Sequence, residues 1–242
     1  MERNEPRGRT LAILGFHKIG APPADGWETW YYIPEATFAG YLGWLGEHGW
    51  RVIDVPTLLT GLKAPDTLPE RAVLLTFDDG YRSNLEVAVP VLRRFGYPAV
   101  IFVPTDYIGR HNTFDVDEEP QEAICDWGDL RELERRGVSV QSHGASHRAF
   151  SGLTPAEQED ELHRSKAVLE DGLSKDVEVY CYPYGDDGGT PPAIREALVR
   201  TGYRAACLYS GGLNPMPAAD PYRLDRITMG PDTDLRQELG IG

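Results

Sequence analysis

Ala72-Val-Leu-Leu-Thr-Phe-Asp-Asp-Gly80 is the stretch on which the reading of this chain turns. Ala72 to Phe77 is apolar almost throughout, as strands buried on both faces are. The chain then becomes polar abruptly at Asp78-Asp79-Gly80. In α/β proteins the reactive groups gather at the carboxyl ends of the strands, so a carboxylate pair at this point sits where chemistry is done. In isolation Asp-Asp-Gly is most often a turn or a helix cap. The rest of the chain has to decide between the two.

Outward from this strand, short apolar runs alternate with amphipathic stretches. The spacing predicts strands at 11–16, 51–55, 99–103, 138–141, 177–182 and 203–208, with a last one at 226–229. Helices are predicted at 37–48, with Phe38, Tyr41, Leu42 and Leu45 on one face, and at 84–95, 130–136, 154–171 and 191–201. Gly49, Gly96, Gly137 and Gly202 act as helix stops, and Thr154-Pro155 followed by Glu157 opens the long helix. Such alternation implies a parallel sheet with helical crossovers. Seven or eight units in 242 residues fit a distorted (β/α) barrel of the TIM-like kind, with about seven strands in a single domain over 1–242. An open doubly wound sheet is the alternative, weakened because no Gly-rich phosphate loop follows the first strand.

The strand ends then carry the argument. His17 follows the first strand, Asp78 and Asp79 the central one, His143 and His147 the strand ending at Gln141, and Pro183 and Tyr184 the strand ending at Tyr182. Two adjacent carboxylates at the end of a buried strand repel each other, and a cation relieves this, with one as ligand and the other left as a base. Asp plus two His at a four-residue spacing is a three-ligand set with open positions, the catalytic pattern for zinc and similar divalent ions. The metalloprotease version needs a glutamate after the first histidine, where this chain has Gly144.

Thr76-Phe-Asp-Asp-Gly80 with Tyr81 and Asn84, His143-Gly-Ala-Ser-His147 and Tyr182-Pro-Tyr-Gly185 together resemble the three motifs of the polysaccharide deacetylases, the carbohydrate esterase family also called the NodB-homology domain. Glu196 to Ala205 resembles the segment that follows the third motif, and the likeness spans about Leu11 to Met229. The resemblance implies a distorted barrel and metal-dependent removal of acetyl groups, usually N-acetyl from amino sugars. It assigns Asp78 as general base, Asp79, His143 and His147 as metal ligands, and the backbone N–H of Tyr184, beside Pro183, to the developing oxyanion. The implied ion is zinc, with cobalt or nickel as substitutes.

Three departures from the pattern stand out. Gly144 replaces a Ser/Thr, with Ser146 as a substitute hydrogen-bond donor. Cys181 stands where the family's base-orienting Arg would be; Arg226 is the candidate replacement, its alternative being a rim salt bridge with Asp225 or another acid. The C-terminal Leu-x-His that supplies a general acid is missing, and His17 is the candidate for that role. Gly15-Phe16-His17 resembles the start of the circularly permuted poly-N-acetylglucosamine deacetylase branch. Trp27, Trp30, Tyr31 and Tyr32 follow His17 and suit sugar faces or ordinary packing equally. An O-acetyl esterase, a small-molecule amidase and a non-catalytic glycan binder are the competing functions.

Composition narrows the partners. With 38 acidic against 24 basic side chains and a net charge of −14, the field repels phosphate backbones, which argues against nucleic-acid binding. Cys125, Cys181 and Cys207 match no zinc or redox spacing, and Cys181 and Cys207 read as small core residues. The apolar run 11–16 is too short for a signal peptide or membrane span, so a cytoplasmic location is the expectation, with residues 1–10 a flexible N-terminus and an acetylated amino sugar or oligosaccharide as the partner.

Overall fold

The computed structural model describes residues 8–189 and 191–240. In chain order its elements are β1 Thr10–Phe16, β2 Lys18–Ile19, β3 Tyr32–Ile33, α1 Glu35–Glu47, β4 Arg51–Val52, α2 Val55–Lys63 and β5 Arg71–Phe77. A π-helical turn, Asn84–Ala88, runs into α3 Val89–Phe95, and β6 Ala99–Val103, α4 Trp127–Arg135, β7 Val138–Ser142 and α5 Pro155–Leu173 follow. The chain ends with β8 Val179–Cys181, α6 Pro191–Thr201, β9 Ala205–Cys207, β10 Asn214–Pro215, β11 Ile227–Thr228 and α7 Leu235–Glu238.

β1, β5, β6, β7, β8 and β9 lie side by side in that order, all parallel. β11 pairs parallel with β1, Leu14 opposite Ile227, while Leu224 bridges Cys207 of β9, so the sheet curls until its two edges meet through 224–228. This is the expected distorted (β/α) barrel with seven strands. β4 pairs with the start of β5, and β10 runs antiparallel to the start of β1.

Strand periodicity sorts the side chains into two layers. Leu11 and Ile13, Ala72 and Leu74, Val100 and Phe102, Val179 and Cys181, Ala205 and Cys207 form one apolar cluster with Leu58 and Leu59 of α2. The intervening residues, such as Leu14, Val73, Leu75, Ile101 and Val140, pack with Phe38, Leu42, Leu92, Leu130 and Leu162 of the surrounding helices. Continuing the first series by steps of two reaches His17, Thr76 and Asp78, Gln141 and His143, and Tyr209. The same alternation that fills the barrel therefore delivers polar groups to its carboxyl end.

Helix ends follow the sequence. Thr154 and Glu157 form a reciprocal capping box, as do Asp126 and Asp129, and Asp54 caps α2. α2 was not anticipated, although Asp54-Val-Pro56 carries its start signal. Thr10 already belongs to β1, which shortens the expected flexible N-terminus; Met1–Arg7 lie outside the described residues. All three cysteines are free and buried. Among the described residues no helix is long and apolar enough to cross a membrane.

Candidate active site

A cavity of about 250 Å³ opens at the carboxyl end of the barrel, and His17, Asp78, Asp79, His143, His147 and Tyr184 all line it. Three of the four non-glycine residues with positive φ among those described are Asp79 at 68°, His147 at 58° and Tyr184 at 58°. Backbone strain of this kind persists where the surrounding structure enforces it, often at functional sites. At Asp79 it turns the second carboxylate away from the first, and Gly80 at 74° completes the turn. Asn84, three residues after Tyr81, donates through its side-chain amide to the carbonyl of His17 at 2.9 Å and so ties the ends of β1 and β5 together.

The two adjacent carboxylates have different surroundings. Asp78 is held by Arg226 in a bidentate pair, Nη1 to Oδ1 at 2.7 Å and Nη2 to Oδ2 at 2.8 Å. Arg226 is itself fully buried, donates through Nε to the Leu208 carbonyl at 3.0 Å and through Nη1 to Thr76 Oγ1 at 3.2 Å, and lies 3.8 Å from the centre of the Tyr209 ring. Burial pushes the Asp78 carboxyl up, but Arg226, with His143 and His17, outweighs it and holds the pKa at about 2. The rim salt bridge with Asp225 does not form: Asp225 accepts from the Ser210 hydroxyl instead.

Asp79 faces the histidines. Its Oδ1 lies 3.1 Å from His147 Nε2 and 3.5 Å from His143 Nε2, and it has no hydrogen-bond partner although it is buried. Ligand atoms of Asp79, His143 and His147 fall within 4.8 Å of one another. A buried, unpaired carboxylate oxygen converging with two imidazole nitrogens is the donor set of a divalent-metal site, so these residues fit the implied ion. His143 has its other nitrogen fixed, Nδ1 lying 2.8 Å from the Cys181 carbonyl, an arrangement common behind metal-binding imidazoles. Desolvation lowers the His143 pKa, but Asp78 and Asp79 more than reverse this.

The two histidines sit on the loop that follows β7. Glu161 of α5, 5% exposed, accepts from the backbone N–H groups of Ala145 and Ser146 at 2.6 and 2.9 Å and from Ser146 Oγ at 2.6 Å. Ser146 thus does form an anchoring bond, with Glu161 as the partner that sequence reasoning missed. A Cβ at Gly144 would stand 3.0 Å from Glu161 Oε2 and from the Tyr180 hydroxyl, which is why a side chain is absent there.

His17 stacks near-parallel to Tyr209, with centroids 5.8 Å apart, and tilts against Tyr31 at 4.5 Å. Its Nδ1 is buried without a partner, and burial holds its pKa below 6.5 despite Asp79 and Asp78. Pro183 and Tyr184 form a 3₁₀ turn after β8; the Tyr184 hydroxyl reaches Asp115 Oδ1 at 3.0 Å. Of the four aromatic residues flagged after His17, only Tyr31 lines the cavity. Tyr32 is buried, Trp30 donates to Asp232 at 2.8 Å, and Trp27 is exposed. Behind Tyr31 a buried Lys18–Glu119 pair at 2.6 Å, braced by Thr29, fastens the acidic 115–119 segment to the wall.

With the geometry established, comparison with known proteins gives a consistent result. The family profile described as polysaccharide deacetylase matches residues 66–206. The chain belongs to the polysaccharide deacetylase family. YxkH of Bacillus subtilis (strain 168), which carries the family's name, is 28% identical over 229 residues, covering 91% of this chain and 72% of that one. The poly-β-1,6-N-acetyl-D-glucosamine N-deacetylase of Escherichia coli (strain K12) is 26% identical over 90% of this chain, which spans only 36% of the length of that enzyme. Among solved structures, IcaB from Ammonifex degensii superposes with a TM-score of 0.77 at 25% identity, covering 93% of this chain and 94% of that one. The Streptococcus pyogenes deacetylase PplD, at 20% identity, shares the fold with a TM-score of 0.80 over 96% and 97%.

Tyr209, Lys18, Asp115, Glu118, Glu119 and Thr228 in the cavity lining, and Glu161 behind it, are the residues that motif reading did not reach. Tyr209 follows the strand ending at Cys207, so the strand-end rule that found His17 would have found it too.

Proposed function

We propose that this family member is a metal-dependent deacetylase that removes N-acetyl groups from an amino-sugar glycan. The observation that carries the reading is the division of labour between adjacent carboxylates: Asp78 is locked to Arg226, while Asp79 points an unpaired oxygen at His143 and His147. A divalent cation, zinc first with cobalt or nickel as substitutes, would be held by Asp79, His143 and His147 and would supply Lewis-acid polarisation of the acetyl carbonyl and of water.

The chain's own groups supply the rest. Asp78 stays ionised beside Arg226 and takes a proton as water oxygen adds to the acetyl carbon. The backbone N–H of Tyr184 would donate to the carbonyl oxygen as it becomes an oxyanion. His17, which burial makes a readier proton donor than free imidazole, protonates the departing amine as the C–N bond breaks, leaving acetate and a free amino sugar. Arg226 orients the base in place of the family's third-motif arginine. The exposed ring of Tyr184 and the half-exposed ring of Tyr31 flank the cavity and suit the faces of a sugar.

Acetate release from a β-1,6-linked N-acetylglucosamine oligomer, with and without a chelator, tests the proposal. Chelator-sensitive release supports it. Release only from O-acetylated sugars or small acetamides moves the substrate to the competing classes, and metal binding without release from any of them refutes catalysis.

A further inference from the structure

Tyr209 is a large side chain in the cavity that the mechanism above leaves unused. It extends the inward series of β9, two residues beyond Cys207. Its ring carries the Arg226 guanidinium at 3.8 Å, and its hydroxyl is buried next to Asp78 with no partner in hydrogen-bond geometry. Two glycines make room for it. A Cβ on Gly15 would stand 2.5 Å from the Tyr209 hydroxyl oxygen, and one on Gly185 would stand 2.6 Å from the Tyr209 backbone nitrogen. Gly15 lies inside a buried strand, where glycine weakens the strand and marks a close approach by another group; the phenol is that group.

We propose that Tyr209 is a positioning residue for Asp78: its ring seats the Arg226 fork, and its hydroxyl, unpartnered in this structure, is the donor that in the working enzyme meets the Asp78 carboxylate and fixes the direction in which that carboxylate faces the cavity. This rests on the reading of Asp78 as the base. Apart from the long, weak contacts of the Cys181 thiol at 3.8 and 3.9 Å, Arg226 alone holds the carboxylate, gripping both oxygens in one plane, and a strong donor from a second direction stops the pair from rocking as the carboxylate gains a proton. The phenol suits this role because burial, with Asp78 and against Arg226, drives its pKa well above 10, so it keeps its proton. A hydroxyl facing a carboxylate that only accepts must act as the donor.

The test uses Tyr209→Phe, which keeps the ring, and Gly15→Ala, which lies outside the cavity lining but displaces the phenol. On the N-acetylglucosamine oligomer, both variants should lose about tenfold or more in kcat, the scale of one hydrogen bond to a charged group, with KM and metal content unchanged. An unchanged kcat overturns the proposal, and a rise in KM alone overturns it in favour of a hydroxyl that meets the sugar. A second measurement is independent of turnover: Tyr209→Phe should lower the melting temperature in the native background and by clearly less in an Asp78→Asn background. Equal losses in the two backgrounds refute the contact whether or not the wild-type protein releases acetate, whereas a wild-type protein without activity but with that coupling refutes only the reading of Asp78 as base.

Discussion

Replacing Arg226 by Met removes a fully buried cation and leaves Asp78 buried without a counter-charge. The pair has two charge-assisted hydrogen bonds at 2.7 and 2.8 Å, each of a kind that contributes about 1.5–3 kcal/mol. Breaking one partner of such a pair typically costs about 3–5 kcal/mol. For a chain of this size each kcal/mol corresponds to roughly 2–4 °C in Tm, so the variant should melt about 6–20 °C lower at neutral pH. The pH dependence has a definite sign. Asp78 titrates at about 2 in the folded protein against an ordinary 3.8. A depressed carboxyl pKa stabilises above the unfolded value, by about 2 kcal/mol here, and that stability is lost as pH falls from 3.8 through 2. In the variant burial, now opposed only by His143 and His17, raises the Asp78 pKa, so the deficit should be greatest near pH 7 and shrink on acidification. A protonated Asp78 cannot accept a proton, and kcat should fall by about 10²–10⁴ with metal content intact. Arg226→Lys keeps the charge but not the fork and should fall between the two. Differential scanning calorimetry at pH 4 and 7, acetate release and elemental analysis check these outcomes together. A melting temperature within two or three degrees of wild type, a deficit equal at both pH values, or undiminished turnover would refute the reasoning.

Four further outcomes are expected. Asp79→Ala should abolish binding of one divalent ion per chain, measured by elemental analysis after dialysis; a full complement of metal in that variant would place the ion elsewhere. Asp78→Asn should retain metal and lose acetate release, and wild-type release would remove Asp78 from the role of base. His17→Ala should cost about 10²–10⁴ on amides and much less on activated acetate esters, whose leaving group needs no proton; because burial lowers the His17 pKa, the wild-type rate on amides should decline on the alkaline side from a point below pH 6.5. Gly144→Ala places a methyl 3.0 Å from Glu161 and Tyr180 at a φ of +76°, and should lose about 1–3 kcal/mol and about 10–100-fold in metal affinity by titration calorimetry.

Much of the fold was legible because β1, β5 and β6 are apolar on both faces and their helices carry clear caps. β6 and α6 have the predicted limits, while α2 was passed over because the strand expected at 51–55 ends at Val52 and its last residues, Asp54 and Val55, instead cap and open the helix, with Pro56 in the first turn. The motif residues were placed by their strand ends, and the structure brings His17, Asp78, Asp79, His143, His147 and Tyr184 to one cavity. What the sequence could not show is which groups meet across the barrel. Arg226 is 148 residues from Asp78, and the sequence offered it as a candidate without being able to choose that pairing over a rim bridge with Asp225. Glu161 looks like one more solvated acid of α5 until its position beside Leu162 and Ser165, on the buried face, is taken into account. Pairings at such separations depend on register and curvature, which periodicity does not encode.

The segment that closes the barrel also carries Arg226, the counter-charge of the proposed base, and on that reading competence is tied to completion. A chain released up to residue 220 would already hold the Asp-Asp-Gly, His-x-x-x-His and Tyr-Pro-Tyr-Gly motifs, and could gather the two histidines around Asp79. Asp78 would still lack Arg226, because 224–228 is the segment that joins β9 back to β1. Until that seam closes, the carboxylate faces a partly wet interior with no fixed partner. On the proposed mechanism, hydrolysis would wait on the final strand, and a truncated or unzipped barrel would be a metal binder without a working base.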